Sequence, residues 1–359
     1  MSTSILTGIL WHDWKIIKKQ HSISLRHAID LLDISMRSRW NAKMAKREDE
    51  LFSDKASKVV LDRDPIFILG HWRSGTTMLH NYLCQDSQFA YPNLFQVYNP
   101  HTFLYLLPKL EGKFKNHKAE TRPMDNVQVR FDSPAEDEFA LAISSLCSPL
   151  LGWVFPRRRG NFDRFLSFDE ADMNEVQRWE NSLTTFVKKL TFYNNKPLIL
   201  KSPQHTARIK HLLRLFPNAK FIHMYRNPYR VFQSTEKLYN STVEKLALQN
   251  GARVDEDYII KTYVSLYSNY FRNKSIIPRD NLLEFSFESF VKDPVEILKD
   301  VYTKFELNAF ADFEPQLRAY HKAMTHYKRN NHAAIPQALK NKINTEWERF
   351  FEEWNYKRI

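Results

Sequence analysis

Four short apolar runs, at residues 65–69, 198–200, 220–225 and 282–287, stand out from a chain whose apolar positions otherwise recur at helical spacing. Each is bounded by polar or turn-forming residues and is too short for a buried helix, so each reads as a buried strand. Helical stretches separate the four runs, and that alternation predicts a parallel, doubly wound sheet. The first sixty residues hold no such run. There Ile23, Leu25, Ala28, Ile29, Leu32 and Ile34 recur near helical spacing among Lys and Arg, which predicts basic amphipathic helices. Such helices have two readings: packing on the body of the protein, or lying on an anionic membrane surface. The longest charge-free segment, residues 139–156, has the length of a membrane span but is interrupted by Ser144, Ser145, Ser148, Pro149 and Gly152. The expectation there is a helix buried against the sheet and walling an apolar pocket, with no membrane span.

In a doubly wound sheet, ligands gather beyond the carboxyl ends of the strands, and each predicted strand end here carries polar chemistry. The first run leads into Gly70-His71-Trp72-Arg73-Ser74-Gly75-Thr76-Thr77. Gly70 and Gly75 have the spacing of a nucleotide-triphosphatase phosphate loop, but Thr76 stands where that loop needs lysine and Thr77 where it needs the magnesium-binding hydroxyl. Arg73 is the cation within the loop. Its N–H groups and the start of a helix predicted over 76–84 would still attract phosphate oxygens. The second run ends in Lys201-Ser202-Pro203-Gln204-His205, where Ser202 is expected to cap and Pro203 to open a helix running through 216. The third ends in Arg226-Asn227-Pro228 and opens a helix that carries Ser234. Three strand ends thus point Arg73, Lys201 and Arg226 toward one crevice. Neither 198–200 nor 221–225 ends in the aspartate that a magnesium-nucleotide site requires, so no metal is expected.

Composition narrows the class. A hydrophobic content of 43% and an aromatic content of 14% supply a core, and seven glycines exclude collagen-like or low-complexity character. Lys and Arg (53) exceed Asp and Glu (41), for a net charge of +12, which points to an anionic ligand or surface or else to a solvated basic surface. Cys84 and Cys147 have no metal-binding spacing and fit a reducing compartment. The apolar stretch at 5–11 lacks the basic start of a secretory signal, so a cytoplasmic protein is expected. One large domain is predicted: a helical extension over 1–60, an α/β core over 61–310, and a C-terminal helical segment over 311–359 that closes on the same domain.

The motifs are specific only in their order. R-S-G-T-T at 73–77, L-K-S-P at 200–203, F-P-N-A-K-F-I-H-M-Y-R-N-P at 216–228, a serine eight residues past Arg226, and F-E-x-x-x-x-D-P at 287–294 together resemble the PAPS-dependent sulfotransferases. PAPS is 3′-phosphoadenosine 5′-phosphosulfate, and the likeness covers about 65–310. It is strongest to the branch with arginine in the loop, which includes enzymes that sulfate protein tyrosines. The resemblance implies a P-loop-like three-layer α/β fold with a central parallel sheet flanked by helices. It assigns Arg73, Ser74, Gly75, Thr76 and Thr77 to the 5′-phosphosulfate, Arg226 and Ser234 to the 3′-phosphate, and Lys201 to the transferring sulfuryl group. Cationic side chains suit this chemistry, because the sulfuryl group carries less charge than a phosphoryl group and leaves a phosphate already stable as an anion.

Transfer to a hydroxyl calls for a general base. Arginine-loop relatives often place a glutamate about 20 residues after the loop, where this chain has Leu94-Phe95-Gln96-Val97. The candidates are Glu136 and Glu138 in the Glu136-Asp137-Glu138 cluster, His205 and His71. Glu136 is expected on a helix face with Phe139, Ala140 and Ile143, or in a capping box Ser133-Pro134-Ala135-Glu136 that would tie it to its own helix start. His205, in a first helical turn, would be held neutral by the helix dipole, while His71 would serve as base or orient the loop. Lys328 or Arg329, within 326–332, would reach the 3′-phosphate or lie in a solvated loop. Arg157-Arg158-Arg159 would bind an acidic acceptor or headgroup, or form a solvated face. The expected function is metal-independent, in-line transfer of the sulfuryl group from PAPS to a hydroxyl of a small or lipid-like acceptor. Nucleic acid is not an expected partner. Two readings stand against it: a divergent P-loop kinase or triphosphatase, and a nucleotide- or membrane-binding protein without catalysis.

Overall fold

The computed structural model describes residues 4–114, 120–121, 128–251, 254–324 and 334–359. In chain order the principal elements are α1 (Trp11–Gln20), α2 (Ala28–Ser57), β1 (Ile66–Leu69), α3 (Thr76–Leu83), α4 (Glu138–Ser145), α5 (Met173–Asn194), β2 (Ile199–Lys201), β3 (Lys220–Tyr225), α6 (Pro228–Leu246), α7 (Glu256–Asn273) and β4 (Leu282–Ser286). They divide into two compact units. The first comprises Met1–Asp62, Ala90–Leu198 and Asn240–Arg253, and the second Arg63–Phe89, Ile199–Tyr239 and Val254–Ile359.

The second unit holds the sheet. Its four strands are all parallel, in the order β2-β1-β3-β4, and they fall within a residue of the four apolar runs. Parallel strands need helices on both faces, so their side chains are apolar in both directions. On one face Ile66, Ile68, Ile222 and Met224 pack with Leu79 and Leu83 of α3 and with Leu298, Phe313 and Leu317 of later helices. On the other, Phe67 stacks on Phe221 at 5.7 Å and lies 5.9 Å from Phe216. There a 3-10 turn (Pro203–Ala207) packs against both β1 and α7. The predicted three-layer α/β architecture is the one observed.

A partly buried polar hub braces β4. The Glu284 carboxylate accepts from Tyr270 Oη at 2.6 Å, from Lys274 Nζ at 2.9 Å and from His223 Nδ1 at 3.0 Å. Burial alone would raise its pKa, but the hydrogen bonds from His223, Tyr270 and Lys274 outweigh that and bring it to about 2. Burial lowers the pKa of His223, so it serves as a neutral donor.

The first unit is mostly helical, with one short antiparallel pair, Glu120–Thr121 with Gln128–Val129. The inner face of α2 buries Ile34, Ser38, Asn41, Met44, Ala45 and Glu48, whose spacing of three to four residues is that of one helix face. Trp14 Nε1 of α1 donates to Ser35 Oγ at 2.8 Å, and Asn41 Nδ2 donates to the carbonyls of Thr7 and Ile9 at 2.9 and 3.1 Å. Glu48 makes a buried ion pair with Lys189 of α5 and accepts from the Tyr105 N–H at 2.9 Å. Burial, reinforced by the charge of Lys189, pushes His101 down to about 3 and keeps it neutral.

The single helix expected over 139–156 is two helices. Leu146 takes a left-handed φ of 57° at the end of α4, Ser145 Oγ accepts from the Cys147 N–H at 3.0 Å, and the chain restarts as a short helix at Leu151–Val154. Pro149, which has no N–H, and the self-bonding serines favour that break. The segment belongs to the first unit, where α4 packs on α5, while the sheet belongs to the second. Among the described residues, no helix is long and apolar enough to cross a membrane.

Because the pKa of Glu284 lies below the carboxylate value of 4.5, its stabilisation is complete above that pH and is lost as the pH falls toward about 2. Glu284→Gln is expected to cost about 2 kcal/mol of stability at neutral pH. In urea denaturation, the gap from the parent protein should close as pH drops through that window. A gap independent of pH would show that the carboxylate charge does not brace β4.

Candidate active site

β1 delivers the chain to the loop at Gly70, where only glycine fits. Its φ is 145°, and an added Cβ would lie 2.5 Å from the Met224 carbonyl oxygen and 2.7 Å from Ser74 Oγ. The Gly70 N–H donates to Thr206 Oγ1 at 2.7 Å, which ties the loop to the turn after β2. Ser74 closes the loop on itself, with its N–H and its hydroxyl both donating to the His71 carbonyl at 3.1 and 2.8 Å. Arg73 takes a left-handed φ of 69° and Gly75, the N-terminal cap of α3, a φ of 104°. A Cβ on Gly75 would run into the Phe287 ring. Such alternation turns successive N–H groups inward, and the first N–H groups of α3 have no partner within the helix. A loop of this geometry is suited to cradle an anion.

Cationic side chains from all three strand ends converge on it. Parallel pairing sets Lys201 beside Ile68, and the side chain, 2% exposed, donates to Thr77 Oγ1 at 3.2 Å. Burial raises the pKa of nearby Cys84 well above the usual thiol value, with Lys201 offsetting part of the effect, so the thiol stays protonated. Arg226, just past β3, donates from Nη1 to the Arg73 carbonyl at 3.1 Å, and its guanidinium lies 4.1 Å from the Phe287 ring centroid. Arg73 in turn donates from Nε to Ser234 Oγ on α6 at 2.8 Å. Loop, strand ends and α6 thus form one connected group: Arg73, Ser74, Gly75, Thr76, Thr77, Lys201, Arg226 and Ser234.

The His71 N–H donates to the Tyr267 hydroxyl oxygen at 3.2 Å, and its ring donates from Nδ1 to the Trp72 carbonyl at 2.8 Å. Burial pushes its pKa down to about 4, so the ring is neutral at physiological pH. His205 is fully buried, with its ring edge-on to Phe67 at 5.3 Å. The helix expected to start at Ser202 is instead the 3-10 turn followed by a helix at Ile209–Leu215, and Ser202 makes no capping bond. Its extended backbone continues the strand, and Arg208 separates the two turns.

Glu136 and Glu138 belong to the first unit. The capping box does not form, because Ser133 Oγ accepts from the Arg130 N–H at 2.9 Å and α4 begins only at Glu138. Glu136 therefore precedes the helix and does not share a face with Phe139, Ala140 and Ile143. It is half-buried, whereas Glu138 is fully buried and accepts from Ser148 Oγ at 2.6 Å. Gln96, in the segment where relatives carry glutamate, is committed to a capping box with Asn93. Arg157 and Arg158 are exposed in a 3-10 turn. Lys328 and Arg329 lie outside the described residues.

Three contributors were given no role by the sequence: Thr206, Tyr267 and Phe287, the last noted only as the first residue of a motif. Thr206 and Phe287 sit inside or beside motifs already noted and were within reach. Tyr267 comes from the middle of α7, and no local pattern marks it.

A family model described as the sulfotransferase family matches residues 65–312. Over 312 residues the chain is 32% identical to the omega-hydroxy-beta-dihydromenaquinone-9 sulfotransferase Stf3 of Mycobacterium bovis, covering 86% of this chain and 79% of that protein. The protein of the same name from Mycobacterium tuberculosis matches to the same extent. Among solved structures, the fold is similar to sulfotransferase STF9 from Mycobacterium avium, with a TM-score of 0.68 at 16% identity over 98% of this chain and 97% of that one. It is also similar to STF1 from Mycobacterium tuberculosis H37Rv, with a TM-score of 0.65 at 14% identity over 93% and 92% of the two chains. At those identities the structural likeness concerns the fold.

The Thr206 tie generates a prediction about loop integrity. Thr206→Val leaves the buried Gly70 N–H without its acceptor and should cost about 1–3 kcal/mol in chemical denaturation, while Thr206→Ser should cost much less. Equal losses for both would mean that the methyl packing of Thr206, and not its hydroxyl, holds the loop.

Proposed function

The chain belongs to the sulfotransferase family, and from that premise we propose that it moves the sulfuryl group of PAPS to a hydroxyl of a lipid-like acceptor. One observation supports the donor assignment above all: a strained loop with Arg73 within it and Lys201 and Arg226 beside it at the neighbouring strand ends. The acceptor class is inferred from the relatives that are named for a hydroxylated menaquinone derivative.

In this reading the N–H groups of 73–77 and the hydroxyls of Ser74, Thr76 and Thr77 cradle the 5′-phosphosulfate. Arg226 and Ser234 grip the 3′-phosphate. The stacking of Arg226 on Phe287 orients its planar fork for a bidentate contact, and Arg73 links that grip to the loop through Ser234. The acceptor oxygen attacks sulfur opposite the bridging oxygen. As the new S–O bond forms, the bond from sulfur to the bridging oxygen breaks, and its electron pair leaves on the 5′-phosphate of 3′-phosphoadenosine 5′-phosphate. Lys201, next to Thr77, stabilises the charge that develops between sulfur and the leaving oxygen.

The acceptor proton passes to a base. Four residues are candidates for that base: Glu136, which keeps access to solvent, and Glu138, His205 and His71, which are buried. His71, neutral and bonded to the Trp72 carbonyl, positions the loop. The free thiols of Cys84 and Cys147 fit action in the cytoplasm.

Thermal-shift titration tests the donor site. At a hundredfold over its dissociation constant, 3′-phosphoadenosine 5′-phosphate should stabilise the protein by about 2.7 kcal/mol with no dependence on magnesium; a response to magnesium-ATP alone would make this a kinase-like site. Arg226→Ala should weaken binding of that nucleotide by about 10- to 100-fold while barely changing binding of adenosine 5′-phosphate. Lys201→Ala should lower kcat by about a hundredfold or more at nearly unchanged KM. If Glu136 is the base, Glu136→Gln should lower kcat and remove the acidic limb of its pH profile. A profile that keeps that limb would give the role to Glu138 or to a histidine.

A further inference from the structure

The first unit carries a surface that the proposed reaction does not use. Of eleven large hydrophobic residues exposed among the described residues, seven lie between Ile16 and Leu51. Five of them, Leu25, Ile29, Leu32, Met36 and Trp40, are spaced by three or four residues and so share one face of α2 and the turn before it. Leu25 is 94% exposed and Ile29 83%. The opposite face of α2 is occupied by its buried contacts with α1 and α5, so the helix is apolar along its outer side for no internal reason.

Charge accompanies the stripe. Residues 11–51 contain nine Lys and Arg (Lys15, Lys18, Lys19, Arg26, Arg37, Arg39, Lys43, Lys46, Arg47) and six carboxylates (Asp13, Asp30, Asp33, Glu48, Asp49, Glu50), a net charge of +3. Lys43 and Arg47 continue the face of the stripe one and two turns beyond Trp40. Arg39 flanks it and lies 4.2 Å from the Trp11 ring, which brings α1 with its exposed Lys15, Lys18 and Lys19 alongside. Most of the carboxylates are engaged locally: Asp33 with Arg37 at 2.8 Å, Asp30 with His27 at 2.9 Å, Asp13 with His12 at 3.5 Å and Glu50 with Lys46 at 4.0 Å, while Glu48 is turned inward against Lys189.

We infer that this face docks the protein onto an anionic phospholipid surface, with the apolar stripe entering the headgroup–acyl boundary and the flanking Lys and Arg meeting lipid phosphates. An apolar row bordered by cations on a long surface helix is the pattern of an element that lies on a bilayer without spanning it. A second copy of the chain fits worse, because a twofold contact would set this same excess of positive charge against itself. The inference stands on the first unit alone and does not require the acceptor assignment, though it would bring the enzyme to where a lipid-like acceptor resides.

Co-sedimentation with vesicles tests it, using the full chain and phosphatidylcholine alone or mixed equally with phosphatidylglycerol. Binding to the anionic vesicles should be on the order of tenfold tighter or more, and should weaken with added NaCl. Ile29→Glu combined with Leu32→Glu should abolish it, and Lys43→Ala with Arg47→Ala should reduce it on the order of tenfold, both variants keeping the parent circular dichroism and thermal midpoint. No preference for anionic vesicles, or binding by the Ile29/Leu32 variant equal to that of the parent, would overturn the inference. So would a parent dimer in sedimentation equilibrium that this variant dissociates, which would give the face to a second copy. Transfer of the sulfuryl group to a short, water-soluble alcohol should persist in these variants. Failure of that transfer in a parent protein that binds vesicles would count against the proposed reaction and not against docking.

Discussion

The parallel pairing of β1 with β2 on one side and β3 on the other decides where each cation of the site falls. Parallel strands end on the same edge, so the loop after β1 is flanked by whatever follows its two neighbours. The register aligns Ile68 with Lys201 and Leu69 with His223, which leaves Lys201 at the rim beside Thr77 and Arg226 just beyond the end of β3. A slip of one residue in β2 would turn Lys201 to the opposite face of the sheet. The apolar faces around Ile66, Ile68 and Phe67 forbid that slip, and packing therefore specifies the electrostatics.

The loop itself is strained and needs outside support. A left-handed non-glycine residue such as Arg73 costs about 1–2 kcal/mol, and it persists because Arg226 holds its carbonyl, Ser234 its guanidinium, and Thr206 the chain at Gly70. These supports come from β3, α6 and the turn after β2, so the geometry depends on the whole second unit. A phosphate loop with its own lysine carries its cation locally. Here the cationic groups are distributed, and each also serves as a structural tie.

Charge taken wholly or partly out of water is handled in the same way elsewhere. Glu284 is satisfied by three donors at the sheet edge, and Glu48 by Lys189 and a backbone N–H in the first unit. In each case a carboxylate that would be costly alone is paired with a cation and accepts at least one hydrogen bond, which makes the arrangement specific as well as tolerable. The Glu48 pair, with Asn41 and the Trp14–Ser35 bond, also fixes which side of α2 faces inward and so leaves its apolar stripe outward.

Sequence alone determined the four strands, the helical first sixty residues, the glycine-bracketed loop and the cationic residues placed around it, because strand burial, glycine geometry and strand-end placement are local or periodic properties. It did not determine how residues 139–156 break, since serine self-bonding and a left-handed leucine compete with a helical pattern that looks continuous. It also misread the environment of Glu136 and the start expected at Ser202, where plausible capping motifs lost to contacts with Arg130 and to strand continuation. Only the tertiary structure decided that Arg73 reaches Ser234, that Tyr267 and Thr206 hold the loop, and that the apolar stripe of α2 is left on the surface. Those outcomes join residues far apart in sequence, and whether such residues meet depends on packing, which no local pattern encodes.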